Sequence, residues 1–67
     1  MSKIYFKFSY DFRFVLAFIL ENCLDCKILT EIENYSNHFG IKISNEMVEE
    51  GIISFCLRND IVFDRRI

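Results

Sequence analysis

Cys23-Leu24-Asp25-Cys26 is the stretch of this 67-residue chain whose side chains have the spacing of metal or redox chemistry. Two thiolates three positions apart make half of a tetrahedral zinc site, and His38 with Cys56 would complete a Cys3His set. A bound metal would also help so short a chain to fold. Against that reading, a single CxxC pair is present, and His38 and Cys56 stand alone in the sequence. Cys23 and Cys56 also fall on predicted apolar stripes, where a free thiol packs as a small hydrophobe. The sequence therefore predicts no metal and no cofactor. Thioredoxin-type redox use of the CxxC needs more strands and a larger chain.

His38 is the one histidine. A Cys–His nucleophile pair could be built on it, but a lone histidine near a helix end more often meets the dipole and the last carbonyls. The chain has no phosphate loop, no GxSxG and no HExxH, and Asp11, Glu21 and Asp25 do not converge in any known catalytic spacing. The expectation is a chain that is not an enzyme and has no small-molecule substrate.

Ten acids against eight bases give a net charge of −2. That balance is not the footprint of a strongly basic nucleic-acid protein. Lys3, Lys7, Arg13, Lys27, Lys42 and Arg58 are scattered, and only Arg65-Arg66 forms a cluster. The acids Glu31, Glu33, Glu46, Glu49 and Glu50 suit solvated helix faces near helix N-termini. The uncharged run from Phe14 to Leu20 is far shorter than the roughly 20 residues of a membrane span. Lys7, Asp11 and Arg13 break up any secretory signal. Three cysteines, an odd number, fit reduced thiols. Together these features predict a cytoplasmic chain with no membrane contact.

The elements that must position these groups follow from periodicity. Lys3 to Phe8 alternates, with Ile4, Phe6 and Phe8 on one side and Tyr5 and Lys7 on the other, which predicts a strand. Ser9 or Asp11 can cap a helix over 11–24. Its inward stripe is Phe12, Val15, Leu16, Ile19, Leu20 and Cys23, and Phe14 and Phe18 form a second apolar face. Thr30 and Glu33 have capping-box spacing. They predict a second helix to about Phe39, with Ile32, Tyr35 and Phe39 inward and Gly40 as its left-handed stop. Ile41-Lys42-Ile43 reads as a short strand. Ser44 or Asn45 caps a third helix to about Asn59, with Met47 or Val48, Ile52, Phe55 and Cys56 inward. Gly51 inside it would allow close helix approach. Asn59-Asp60 is turn chemistry, and Ile61-Val62-Phe63 reads as a last strand. No internal repeat is evident. The prediction is one compact α+β domain over 1–67, with three helices and two or three strands in the order β-α-α-β-α-β.

The segment from Leu29 to Val62 resembles a helix-turn-helix, in some versions a winged helix. A capped helix ends at Phe39-Gly40, and a polar cap opens the next. The resemblance implies a DNA-binding transcription regulator as the alternative function, with Lys42, Arg58, Arg65 and Arg66 as its cations. Glu46, Glu49 and Glu50 at the start of the reading helix would be repelled by phosphates, so nucleic acid is the disfavoured partner.

Eight phenylalanines and three tyrosines exceed what a core of this size holds. Surplus aromatic surface marks an interface. The favoured reading is a small regulatory or inhibitory protein of phage or viral type that binds a larger protein or forms a homodimer. Phe14 and Phe18 would be its anchors, and Glu46, Glu49 and Glu50 would set orientation.

Overall fold

The structure is a computed structural model and describes residues 2–29 and 39–66. Within these, the element order is β1 (Ser2–Phe6), α1 (Ser9–Glu21), β2 (Lys27–Leu29), β3 (Phe39–Ile43), α2 (Glu46–Arg58) and β4 (Phe63–Arg66). The strands form one antiparallel sheet in the order β2-β3-β1-β4. This is the split βαβ, or ferredoxin-like, topology. The α+β class is as the sequence predicts, but the described residues hold two helices and four strands.

Alternation decides which strand residues face the helices. Opposed residues of an antiparallel pair share a face. Ile4 opposes Ile41, Phe6 opposes Phe39 and Phe63, and Ser2 opposes Ile43. These side chains meet Val15 and Ile19 of α1 and Ile52 and Cys56 of α2 in one buried cluster. Phe12, Leu16 and Phe18 flank the α1 stripe and are half-buried. Leu20 was expected inward but is 77% exposed. At about 100° per residue it lies one step round from Ile19, beyond the stripe. In α2, Val48 rather than Met47 packs against the core; Met47 is 82% exposed.

Several predicted boundaries are corrected. Phe8 is the N-cap of α1, not a strand residue, and no side chain caps that helix. The predicted second helix, including Ile32 and Tyr35, lies outside the described residues except for its last residue, Phe39. Phe39 and Gly40 are strand residues of β3, and neither glycine has a positive φ. The turn of the helix-turn-helix reading is therefore a central strand, and α2 is not its second helix. Leu29, the first residue of the helix-turn-helix-like segment, ends β2. The last strand begins at Phe63 rather than Ile61 and takes in the charged tail. Asn45 does cap α2, its side-chain oxygen accepting from Met47 N at 2.8 Å and Val48 N at 3.3 Å.

Both helices end in the same way. Asn22 Nδ2 donates to the Phe18 carbonyl at 2.9 Å, and Asn59 Nδ2 to the Phe55 carbonyl at 2.8 Å. Cys23 and Asp60 follow with φ of 52° and 54°. Leu24 N then donates to the Ile19 carbonyl, and Ile61 N to the Cys56 carbonyl. These are Schellman closures, in which the residue after the left-handed position folds back on the last turn.

The likeness extends through the described elements. β1, α1, Asn22 and Cys23 recur as β3, α2, Asn59 and Asp60 with one offset of 37 positions (2 to 39, 9 to 46, 22 to 59, 23 to 60). Strand register obeys the same relation: Ile4 opposes its own counterpart Ile41, and the pairing of Tyr5 with Asp64 matches that of Lys27 with Lys42. The fold thus has two half-domains about a pseudo-two-fold axis between Ile4 and Ile41. The sequence barely records this. Ile4/Ile41, Phe18/Phe55, Leu20/Leu57 and Asn22/Asn59 are the identities across the described counterparts.

Two positions have room for improvement. Cys23 holds a left-handed conformation that favours glycine. Gly51 does not mediate a close helix approach, since a Cβ there meets nothing within 4 Å. Cys23→Gly and Gly51→Ala are each expected to stabilise the fold by about 0.5–1 kcal/mol. Urea unfolding of the single and double variants checks this, with the two gains adding.

Candidate functional site

Both helices pack on the face of the sheet that carries Ile4, Phe6, Ile41 and Ile43. The opposite face belongs to the alternate residues: Lys3 and Tyr5 of β1, Gly40 and Lys42 of β3, Lys27 and Leu29 of β2, Asp64 and Arg66 of β4. No described helix covers it.

Register turns four of these into a line. Lys27 opposes Lys42, Lys42 opposes Lys3, and Lys3 opposes Arg66. Strands lie about 4.8 Å apart, so the row crosses the whole sheet in roughly 14 Å. Like charges directly opposed on one face repel, so this row costs stability unless something anionic meets it. Among the described strand residues, Asp64 is the one acid on this face; it takes Arg66 Nε at 3.0 Å at one end of the row, and Asp25 stands beside Lys27 and Lys42 at the other. Beside the outer end of the row, Asp25, Cys26, Lys27, Lys42 and Ser44 line a recess of about 450 Å³.

The next row is Leu29, Gly40, Tyr5 and Asp64. Tyr5 is 8% exposed, and its ring lies over Gly40: a Cβ on Gly40 would come within 2.8 Å of Tyr5 Cδ1. Beyond Tyr5, Lys7 lies with Val62 and Phe63 around a smaller recess. Its Nζ stands 5.9 Å from the centre of the Phe8 ring. Phe8 and Tyr10 stack at 5.4 Å with 17° between their planes, and both are exposed. The acids Asp11, Glu21, Glu46, Glu49 and Glu50 lie on the helices beside the bases Arg13 and Arg58, and Arg65 pairs with Glu49 from the helix side.

The residues singled out from sequence are distributed differently. Phe18 stacks on Phe55 at 4.1 Å in the seam between the helices. Phe14 lies 5.2 Å from the same ring and is 50% exposed. Glu49 is buried and accepts from Arg65 Nη2 at 3.0 Å, whereas Glu46 and Glu50 are exposed. Phe18 and Glu49 are thus engaged within the protein, while Phe14, Glu46 and Glu50 are exposed. Of the four cations, Lys42 and Arg66 stand in the row. Arg65 points to the helix side, and Arg58 Nε donates to the Ser54 carbonyl at the end of α2. Lys3 and Lys27 were missed. The alternation through Lys3 was legible, but its neighbours depend on a three-residue strand and a register that no local signal carries.

The Glu49–Arg65 pair occupies the place that aromatics fill in the other half. Its counterparts there are Phe12 and Ile28, and Phe12 stacks on Phe39 at 5.2 Å. Ser2, the counterpart of Phe39, has a buried hydroxyl oxygen with no partner among the described residues. The pair borders a recess of about 400 Å³ with Ser2, Ser44 and Asn45. Arg65→Ala leaves the Glu49 carboxylate half-shielded and unpaired, and is expected to cost about 1 kcal/mol. Glu49→Leu combined with Arg65→Ile is expected to be neutral or stabilising, as thermal unfolding of both variants would test.

The thiols do not gather. Cys23 is exposed, Cys26 half-buried and Cys56 buried in the core. Burial raises the Cys56 thiol to about 11, with the Asp11 carboxylate adding to the effect. Burial, then Asp25, also raises Cys26. A thiol held protonated is a poor nucleophile and a poor ligand. Among the described residues no three Cys, His, Asp or Glu side chains converge; His38 lies outside them. No described helix is long and apolar enough to cross a membrane.

Compared with protein-family models, with curated proteins and with solved structures, the chain matches none. The class rests on topology and surface alone: an α+β domain whose described elements follow the ferredoxin-like topology, with a basic row on the sheet face that no described helix covers.

Proposed function

We propose that this chain is a small non-enzymatic binding module that holds an anionic partner on the face of its sheet that no described helix covers. One observation carries the reading: the cross-strand alignment of Lys27, Lys42, Lys3 and Arg66. Aligned like charges raise the energy of the free protein. An anion that bridges them removes the repulsion and gains attraction with each. The lysines have long, flexible stems that can follow a chain of charges. A reducing, cytoplasmic setting fits the free thiols.

The test is retention on immobilised heparin across a salt series. Binding that weakens steeply with salt, and that Lys3→Glu removes, supports the reading. Absence of binding at low salt sinks it. A protein partner or second copy on the helix side, with Phe14 as its anchor, is the second reading. It rests on the exposure of Phe14, Leu20, Met47 and Leu57. Nothing about those residues selects an occupant in the way that the charge row does.

A further inference from the structure

Resting on that reading, we propose that the anionic partner is a single-stranded nucleic acid, with phosphates on the Lys27–Lys42–Lys3–Arg66 row and a base on the Phe8–Tyr10 stack. Charge alone would admit any polyanion. The aromatic pair narrows the choice. Phe8 and Tyr10 lie nearly parallel, are 40% and 67% exposed, and sit next to Lys7 on the chain. Neither belongs to the core cluster or packs against it. An exposed aromatic stack beside a cation accepts the flat face of a base, whatever its identity. Lys3 and Tyr5 stand at alternate positions of β1, Lys7 follows beyond the strand's end, and Lys7 Nζ stands 5.9 Å from the centre of the Phe8 ring. Cations lead, an aromatic platform ends the track, and the combination is that of single-strand binding surfaces.

Duplex DNA fits less well. Its major groove is about 12 Å wide and admits a helix or a two-stranded ribbon, not a four-stranded face. Bases in a duplex are also already stacked on each other and cannot reach the aromatic pair.

The experiment is fluorescence anisotropy with a labelled single strand of roughly eight nucleotides, a length within single-strand site sizes. Inorganic polyphosphate and a duplex of the same length serve as competitors. With about four phosphate contacts, the log–log salt slope should be about −3. Tyr10→Ala should weaken the single strand about tenfold and leave polyphosphate competition unchanged. Tyr10→Trp should restore binding, which a folding defect would not allow. Lys3→Glu should weaken both ligands. If Tyr10→Ala and Phe8→Ala leave single-strand affinity unchanged, or if the duplex binds as tightly, the nucleic-acid inference is overturned. Should polyphosphate bind as tightly as the oligonucleotide and depend on Lys3, that inference falls while the anionic-partner reading stands. Should neither ligand bind at low salt, both fall.

Discussion

Gly40→Val is expected to destabilise the fold by about 1–3 kcal/mol, although valine is the better strand former. In an unobstructed strand the change would stabilise, since glycine loses the most backbone freedom on folding. Here the Cβ would lie 2.8 Å from Tyr5 Cδ1, 3.0 Å from Cε1 and 3.1 Å from Leu29 Cδ1. The ring atom nearest the clash is close to the Tyr5 backbone, so a turn of the ring tip cannot relieve it. Tyr5 must leave its place over the central strand, and Leu29 must give way beside it. The sign of the effect is thus the diagnostic. A double-mutant cycle isolates the cause: in a Tyr5→Ala background the same Gly40→Val should become neutral or favourable. Equilibrium urea unfolding of the four proteins measures this. A stabilising Gly40→Val in the parent chain would mean that Tyr5 does not lie over Gly40.

Lys3→Glu is expected to move stability and binding in opposite directions. In the free protein Lys3 stands between Lys42, which repels it, and Arg66, which Asp64 already pairs. A carboxylate there would instead be flanked by two opposite charges, a gain of about 0.2–1 kcal/mol for each favourable cross-strand pair. The same change takes one cation from the row and adds an anion at its centre. Affinity for a polyanion at low salt should fall at least tenfold, and the salt slope should lose about one phosphate contact or more. A variant that is more stable yet binds less cannot be explained by damage to the fold. Lys3→Gln, which removes charge without reversing it, should lie between the two on both measures. If Lys3→Glu is neutral for stability and for binding, the row is only a solvated edge.

Local signals carried part of this architecture. Asn45 ahead of Glu46 and Met47 announced α2, and its side chain caps the helix as its chemistry predicts. The alternation of Ile4 and Phe6 against Lys3 and Tyr5 announced β1. Gly40 was ambiguous, because glycine after an apolar helix pattern reads as a stop, whereas in β3 it makes room for a ring from the neighbouring strand. That demand comes from a residue 35 positions away (Tyr5 to Gly40), outside any local window. β2 is three residues long and has no periodicity of its own. The pseudo-two-fold was illegible for the same reason that folds outlast sequences: Phe12 and Glu49, or Ile28 and Arg65, fill equivalent places by different physics.

The site was less legible than the fold. Its charges were counted correctly and taken as scattered, because Lys3, Lys27 and Lys42 are distant in the chain. Only pairing in register makes them neighbours. A near-neutral composition can thus conceal a local row of like charges on one face of a sheet.

The most direct test of the central claim is amide chemical-shift mapping of the labelled protein during titration with a short single-stranded oligonucleotide at low salt. The account predicts that the largest changes fall on β1, β3 and the two edge strands around Lys3, Lys27, Lys42 and Arg66, while α2 stays quiet. Changes confined to the outward faces of α1 and α2, with the sheet silent, would contradict it.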